Sequence, residues 1–102
     1  MSTLPDIAIS PGQWEIVAAI LDRHVPDKAV WAFGSRATRT AKPYSDLDLA
    51  IIGESALPLS LIAALEHNFT ESDLPFKVDL VDWASTSPAF RAIIESHRVV
   101  LR

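Results

Sequence analysis

With 102 residues and 11.2 kDa, the chain has the size of one compact domain, and its 49% hydrophobic and 22% charged content excludes a disordered tail or a coiled coil. The absence of cysteine excludes disulfides, thiolate metal sites and a cysteine nucleophile, and fits a reducing compartment. A net charge of −4 argues against nonspecific nucleic-acid binding, no apolar run is long enough to cross a bilayer, and the N-terminus lacks a signal pattern, so the expectation is a cytoplasmic protein with one domain over 1–102.

Ser10-Pro11-Gly12-Gln13 reads as a helix start, with Ser10 as N-cap, Pro11 at the first helical position and Gln13 closing a capping box. Trp14, Val17, Ala18 and Leu21 then recur at helical spacing until Pro26 stops the helix. Ala29 to Phe33 is a short apolar run that predicts a buried strand, broken by Gly34-Ser35. Thr38 to Ser45 is a loop, and Leu47 to Ile52 is a second strand ended by Gly53. Apolar residues at 59, 62, 65 and 69 predict a helix over Leu59 to Phe69.

Phe76 to Val81 alternates and predicts a third strand, with Phe76, Val78 and Leu80 toward the core and Lys77 and Asp79 on the opposite face. Ser87-Pro88 opens a helix with Phe90, Ile93 and Ile94 on one face, and Val99 to Leu101 is a terminal strand or packed tail. This order predicts an α/β (α+β) fold: a small mixed sheet of three to five strands, with helices covering one face. His24, His67 and His97 fall near predicted helix C-termini and read as caps, not metal ligands. Trp14 and Trp31 read as core, Trp83 as core or interface, Tyr44 as a loop aromatic and Asp82 as a strand-end or cap residue.

Three features suggest chemistry. Gly34-Ser35 follows a strand, where glycine permits a tight turn or a close ligand approach, and N–H groups at the start of a short helix at Ser35 and Arg36 suit a phosphate. Asp46 and Asp48 project from one face of a strand, so their charges repel unless a cation lies between them, and hard carboxylate ligands suit Mg2+ or Mn2+. Asp79 lies inside an apolar strand, where a carboxylate without a partner is costly. If its strand lies beside that of Asp48, three aspartates form a site for in-line phosphoryl or nucleotidyl transfer. A basic stretch of Lys28, Arg36, Arg39 and Lys42 runs directly into this acidic pair.

Gly34-Ser35, Asp46-x-Asp48 eleven positions after Ser35, and the later strand Asp79 together resemble the DNA polymerase β-like nucleotidyltransferase superfamily. GSRATRTAKPYSDLDLAI looks most like its minimal branch, small nucleotidyltransferases paired with HEPN-domain partners in prokaryotic toxin–antitoxin modules, and SPAFRAIIESHRVVL is similar to the closing helix and tail of that family. The resemblance implies a polymerase β-like palm in which Gly34 and Ser35 hold a nucleoside triphosphate, with Arg36 and Arg39 beside the phosphates. It implies that Asp46 and Asp48 ligate two Mg2+ ions and that Asp79 completes the second-metal site and helps deprotonate the attacking hydroxyl. Arg39 departs from the glycine frequent there in relatives, and either adds a phosphate contact or restricts the loop.

The resemblance further implies transfer of AMP from ATP to a tyrosine hydroxyl of a HEPN RNase toxin, silencing it, within a toxin hetero-oligomer and without direct nucleic-acid or membrane binding. Two other readings stand beside it: an antitoxin that only masks its toxin, and a transferase acting on a small molecule such as an aminoglycoside. The last normally uses an added acceptor-binding domain, for which 102 residues leave no room. The acceptor is therefore expected to arrive with a partner.

Overall fold

The computed structural model describes residues 4–102. Helix α1 spans Pro11–His24 behind a complete capping box: Gln13 N–H donates to Ser10 Oγ at 3.2 Å, and Ser10 N–H donates to Gln13 Oε1 at 3.0 Å. Strand β1 (Ala29–Phe33) runs through Gly34 into a one-turn helix α2 (Ser35–Thr38). A loop leads to β2 (Leu47–Ile52), and helix α3 (Leu59–Thr70) crosses back to β3 (Val78–Asp82). A 3-10 turn at Trp83–Ser85, helix α4 (Pro88–His97) and the short β4 (Val99–Val100) complete the order.

The four strands are ordered β3-β2-β1-β4. β1 pairs antiparallel with both β2 and β4, while β2 and β3 are parallel, as a helical crossover through α3 requires. Strand alternation divides the core in two. Val30 and Ala32 of β1, Leu47, Leu49 and Ile51 of β2, and Val78 of β3 pack with Val17, Leu21, Leu65 and Phe69 of α1 and α3. On the other face a smaller cluster joins Phe33 and Ala50 to Ile94 of α4, with Trp31, Trp83 and Val81 against it. The main helical layer therefore lies on one face, and α4 adds a patch to the other.

Several boundaries differ from the sequence expectation. β3 starts at Val78 instead of Phe76, because the ladder with β2 opens where Val78 meets Leu47. Leu59 is 84% exposed, since α3 begins at Leu59 and its first turn precedes the sheet-facing residues Leu65 and Phe69. Of the apolar trio in α4 only Ile94 is buried; Ile93 is 60% exposed, one helical step of about 100° away from the sheet. Trp14 is in the core, whereas Trp31 and Trp83 are half-buried and meet edge to face at 5.1 Å. His24 meets the amide of Asn68 at 3.0 Å, and His67 and His97 lie in the last turns of their helices. The Arg102 guanidinium holds the chain end to the carbonyls of Lys28 and Val25 and to Asp22. Among the described residues no helix is long and apolar enough to cross a membrane.

Candidate active site

The site is built where β1 ends. Gly34 has φ 74° and ψ −161°, a conformation that favours glycine, and its Cα faces Asp48 so closely that a Cβ there would overlap Asp48 Oδ2 and lie 3.1 Å from Cγ. In α2, the N–H groups of Ala37 and Thr38 donate to the Gly34 carbonyl at 3.1 Å each, leaving those of Ser35 and Arg36 without an intrahelical acceptor. The helix is only four residues long, so these local donors, not a macrodipole, are what it offers an anion. Gly34→Ala combines a left-handed backbone cost with a steric collision, and is expected to destabilise the fold by about 2 kcal/mol or more. Thermal unfolding checks this, and in an Asp48→Ala background the loss should shrink to the backbone part.

Pairing aligns Phe33 with Asp48 and Asp48 with Asp79, so Gly34, Asp48 and Asp79 follow one another across the sheet. Asp48 and Asp79 are half-buried register partners on the α4 face, and the exposed Asp46 lies two residues before Asp48. Burial pushes the Asp48 carboxyl up to about 6, with the charges of Asp79 and then Asp46 adding to the rise. From about pH 4 to 6 the folded protein keeps a proton here that the unfolded chain has released. Metal-free protein should thus lose about 1 kcal/mol of stability as pH rises through that window, after allowance for solvent screening of a half-buried group. Denaturant titrations at pH 4 and 7 on wild type and Asp48→Asn check this; the variant should lack that slope.

Lys77 Nζ lies 3.3 Å from Asp79 Oδ1, an exposed ion pair on the same face. Among the described residues no three carboxylate or imidazole groups converge into a ready-made metal cage. An open arrangement of this kind fits Mg2+, which is usually held by one or two carboxylates, waters and substrate phosphates. The mutual repulsion at Asp48 is also what a bound cation would relieve.

Arg36 departs from its expected place beside phosphates. It is only 5% exposed, and its guanidinium donates to the carbonyls of Ala8 at 2.7 Å, Ser45 at 2.9 Å and Pro43 at 2.9 Å, while stacking on Phe76 at 3.9 Å. Those donors are committed to protein carbonyls, so Arg36 fastens the loop that delivers Asp46. Burial lowers its pKa, with the charge of Asp46 acting the other way. Arg39 has φ 60° and ψ 33°, and among the described residues it is the one non-glycine with positive φ. That conformation explains why glycine suits the position. Its side chain turns to Asp6 at 2.7 Å, in an exposed pair.

The family described as polymerase beta, nucleotidyltransferase matches residues 15–102. This chain belongs to that nucleotidyltransferase family. It is similar to a probable protein adenylyltransferase MntA of Haemophilus influenzae, with 49% identity over 102 residues, covering 100% of this chain and 90% of that protein. It also resembles a chain in the crystal structure of a toxin–antitoxin with AMP-PNP, with a TM-score of 0.73 and 25% identity over 86% of this chain and 71% of the other. A third likeness, of fold alone, is to a chain in a tri-AMPylated Shewanella oneidensis HEPN toxin complex with its MNT antitoxin. Its TM-score is 0.65, at 22% identity over 86% of this chain and 67% of that one.

In this nucleotidyltransferase two residues that the sequence marks only as a core position and as a strand-end or cap residue also support the site. Phe76 carries the Arg36 guanidinium from a position outside β3, and Asp82 accepts from Leu57 N–H and Ser85 Oγ at 3.0 Å each, fixing the segment that enters α3. The alternation around Phe76 signals burial but not a cationic neighbour.

Proposed function

We propose that the chain is a divalent-metal-dependent protein adenylyltransferase that transfers AMP from ATP to a tyrosine hydroxyl of a HEPN-type RNase toxin and thereby neutralises it. The alignment of Gly34, Asp48 and Asp79 across three positions of the sheet carries this reading. The 49% identity to a protein named an adenylyltransferase supports it, as does the likeness to a toxin–antitoxin structure with AMP-PNP.

The N–H groups of Ser35 and Arg36 would receive the triphosphate beside Gly34, where a side chain would obstruct it. Asp46 and Asp48 would hold Mg2+, with Asp79 completing a second-ion position. When bound, the ions offset triphosphate charge and acidify the acceptor hydroxyl. Asp79 takes the proton of that hydroxyl, with Lys77 orienting the carboxylate. The acceptor oxygen bonds to the α-phosphorus, the bond from that phosphorus to the bridging oxygen breaks, and pyrophosphate leaves.

Incubation with ATP, Mg2+ and the HEPN-type partner, followed by intact mass, tests the reading. The partner should gain whole AMP units on tyrosine; an unchanged mass would sink it. Masking without catalysis is the second reading, favoured by the exposed Phe90, Ile93 and Val100, which suit a partner surface.

A further inference from the structure

Phe33, Asp48 and Asp79 are successive register partners, so their side chains stand in one row across the α4 face of the sheet. Phe90, in the first turn of α4, meets Phe33 edge to face at 5.9 Å, with the ring planes at 83°. It is one aromatic contact away from the row that carries the carboxylates. Phe90 is 38% exposed, whereas Ile94, one turn later, is fully buried with Phe33 and Ala50. Ile94 anchors α4 to the sheet, and the exposed part of Phe90 adds nothing to that anchoring. Val100, the exposed apolar residue of β4, pairs with Trp31, two residues back from Phe33 along β1.

This placement bears on the nucleoside. In-line displacement sets the attacking oxygen and the leaving pyrophosphate on opposite sides of the α-phosphorus, with its other three oxygens around the equator. With pyrophosphate toward Gly34-Ser35 and the acceptor toward Asp79, that axis runs along the row, across the strands. The ribose 5′-oxygen is equatorial, so the nucleoside leaves the row sideways. One sideways direction leads off the sheet past the loop that delivers Asp46. The other leads to α4, whose first turn presents an apolar ring. Tyr44, the exposed aromatic of that loop, lines a separate cavity with Ser10, Gln13 and Pro75.

We propose that Phe90 is the nucleobase platform of this site, with the purine of ATP on its exposed ring while the phosphates lie at Gly34-Ser35. This assignment rests on the adenylyl-transfer reading above. A phenyl ring holds a base by stacking and needs no hydrogen bond to do so.

The test compares wild type with Phe90→Ala, Phe90→Leu and Phe90→Trp by thermal unfolding and by affinity, with Mg2+, for the α,β-methylene analogue of ATP and for inorganic tripolyphosphate. The KM for the HEPN-type partner is measured alongside. Phe90→Ala should weaken analogue binding by about tenfold or more, with tripolyphosphate affinity and partner KM within about twofold of wild type. Phe90→Trp should stay within about twofold of wild type for the analogue. Phe90→Leu keeps an apolar side chain without the flat ring, and should lose analogue affinity even if Phe90→Ala fails to fold. Wild-type analogue affinity in a folded Ala or Leu variant overturns the assignment. An equal loss for tripolyphosphate also overturns it, because the phosphate seat has then moved. A raised partner KM with unchanged analogue affinity overturns it and gives Phe90 to the partner surface. Absence of AMP on the partner with wild-type protein overturns the transfer reading, while the two affinities still decide whether Phe90 holds the base.

Discussion

Asp46→Asn combined with Asp48→Asn should lower AMP transfer by about 10³-fold or more while leaving a folded protein that melts higher than wild type at pH 7. The two effects have one cause. Asp48 is held half-buried beside Asp79 and near Asp46, an arrangement that raises its pKa to about 6 and disfavours its charged form. Neutral amides remove that repulsion together with the carboxylates proposed to hold a divalent ion. Added Mg2+ with nucleotide should raise the melting temperature of wild type more than that of the variant. Loss of transfer through misfolding would lower melting instead, so the two measurements together separate a chemical defect from a structural one. Protection of cells by the variant at native expression would favour masking over catalysis.

Arg36→Ala should cost about 3–5 kcal/mol, the largest stability loss expected for a single polar residue here. The guanidinium bonds three carbonyls at 2.7–2.9 Å, from Ala8, Pro43 and Ser45, and covers Phe76. Truncation leaves those carbonyls without their donor and opens a gap over the ring. For a domain of this size the midpoint should fall by at least about 12 °C. Arg36→Lys should recover less than half of the loss, because a single ammonium cannot span carbonyls on two chain segments as the planar fork does. Transfer by the Lys variant, assayed below its melting range, should also fall, since residues 42–45 lead directly into Asp46. A thermal melt of the three proteins checks the order.

Much of this architecture is legible in the sequence because local rules and tertiary demands agree. Ser10, Pro11 and Gln13 specify the start of α1 by bonds that need no distant partner. Ala29–Phe33 and Leu47–Ile52 are short apolar runs, each ended by a glycine, which marks buried strands, and they are observed with those bounds. Asp46, Asp48 and Asp79 attract notice because carboxylates in or beside apolar strands need an explanation. Their juxtaposition depends on β2 and β3 being parallel neighbours in one register, which periodicity cannot supply.

Arg36 shows the opposite case. Next to Gly34-Ser35 in the chain, it reads as a phosphate ligand, yet its partners are Ala8 and the 42–45 loop, chosen by packing at long range. Ile93 and Leu59 sit at helical spacing but at the margin of the buried face, where a step of one residue decides exposure. Arg39 carries a readable signal only in hindsight of its backbone: its αL conformation is a property of the turn, not of the side chain.

On the proposed reading, Asp46, Asp48 and Asp79 hold divalent ions against a triphosphate seated at Gly34-Ser35. A crystal structure with Mn2+ and the α,β-methylene analogue of ATP tests it most directly, because anomalous scattering locates manganese independently of the surrounding atoms. Manganese is expected on Asp46 and Asp48, with Asp79 at the second ion, and phosphate oxygens on the N–H groups of Ser35 and Arg36. Nucleotide and manganese bound elsewhere, with these carboxylates untouched, would contradict it.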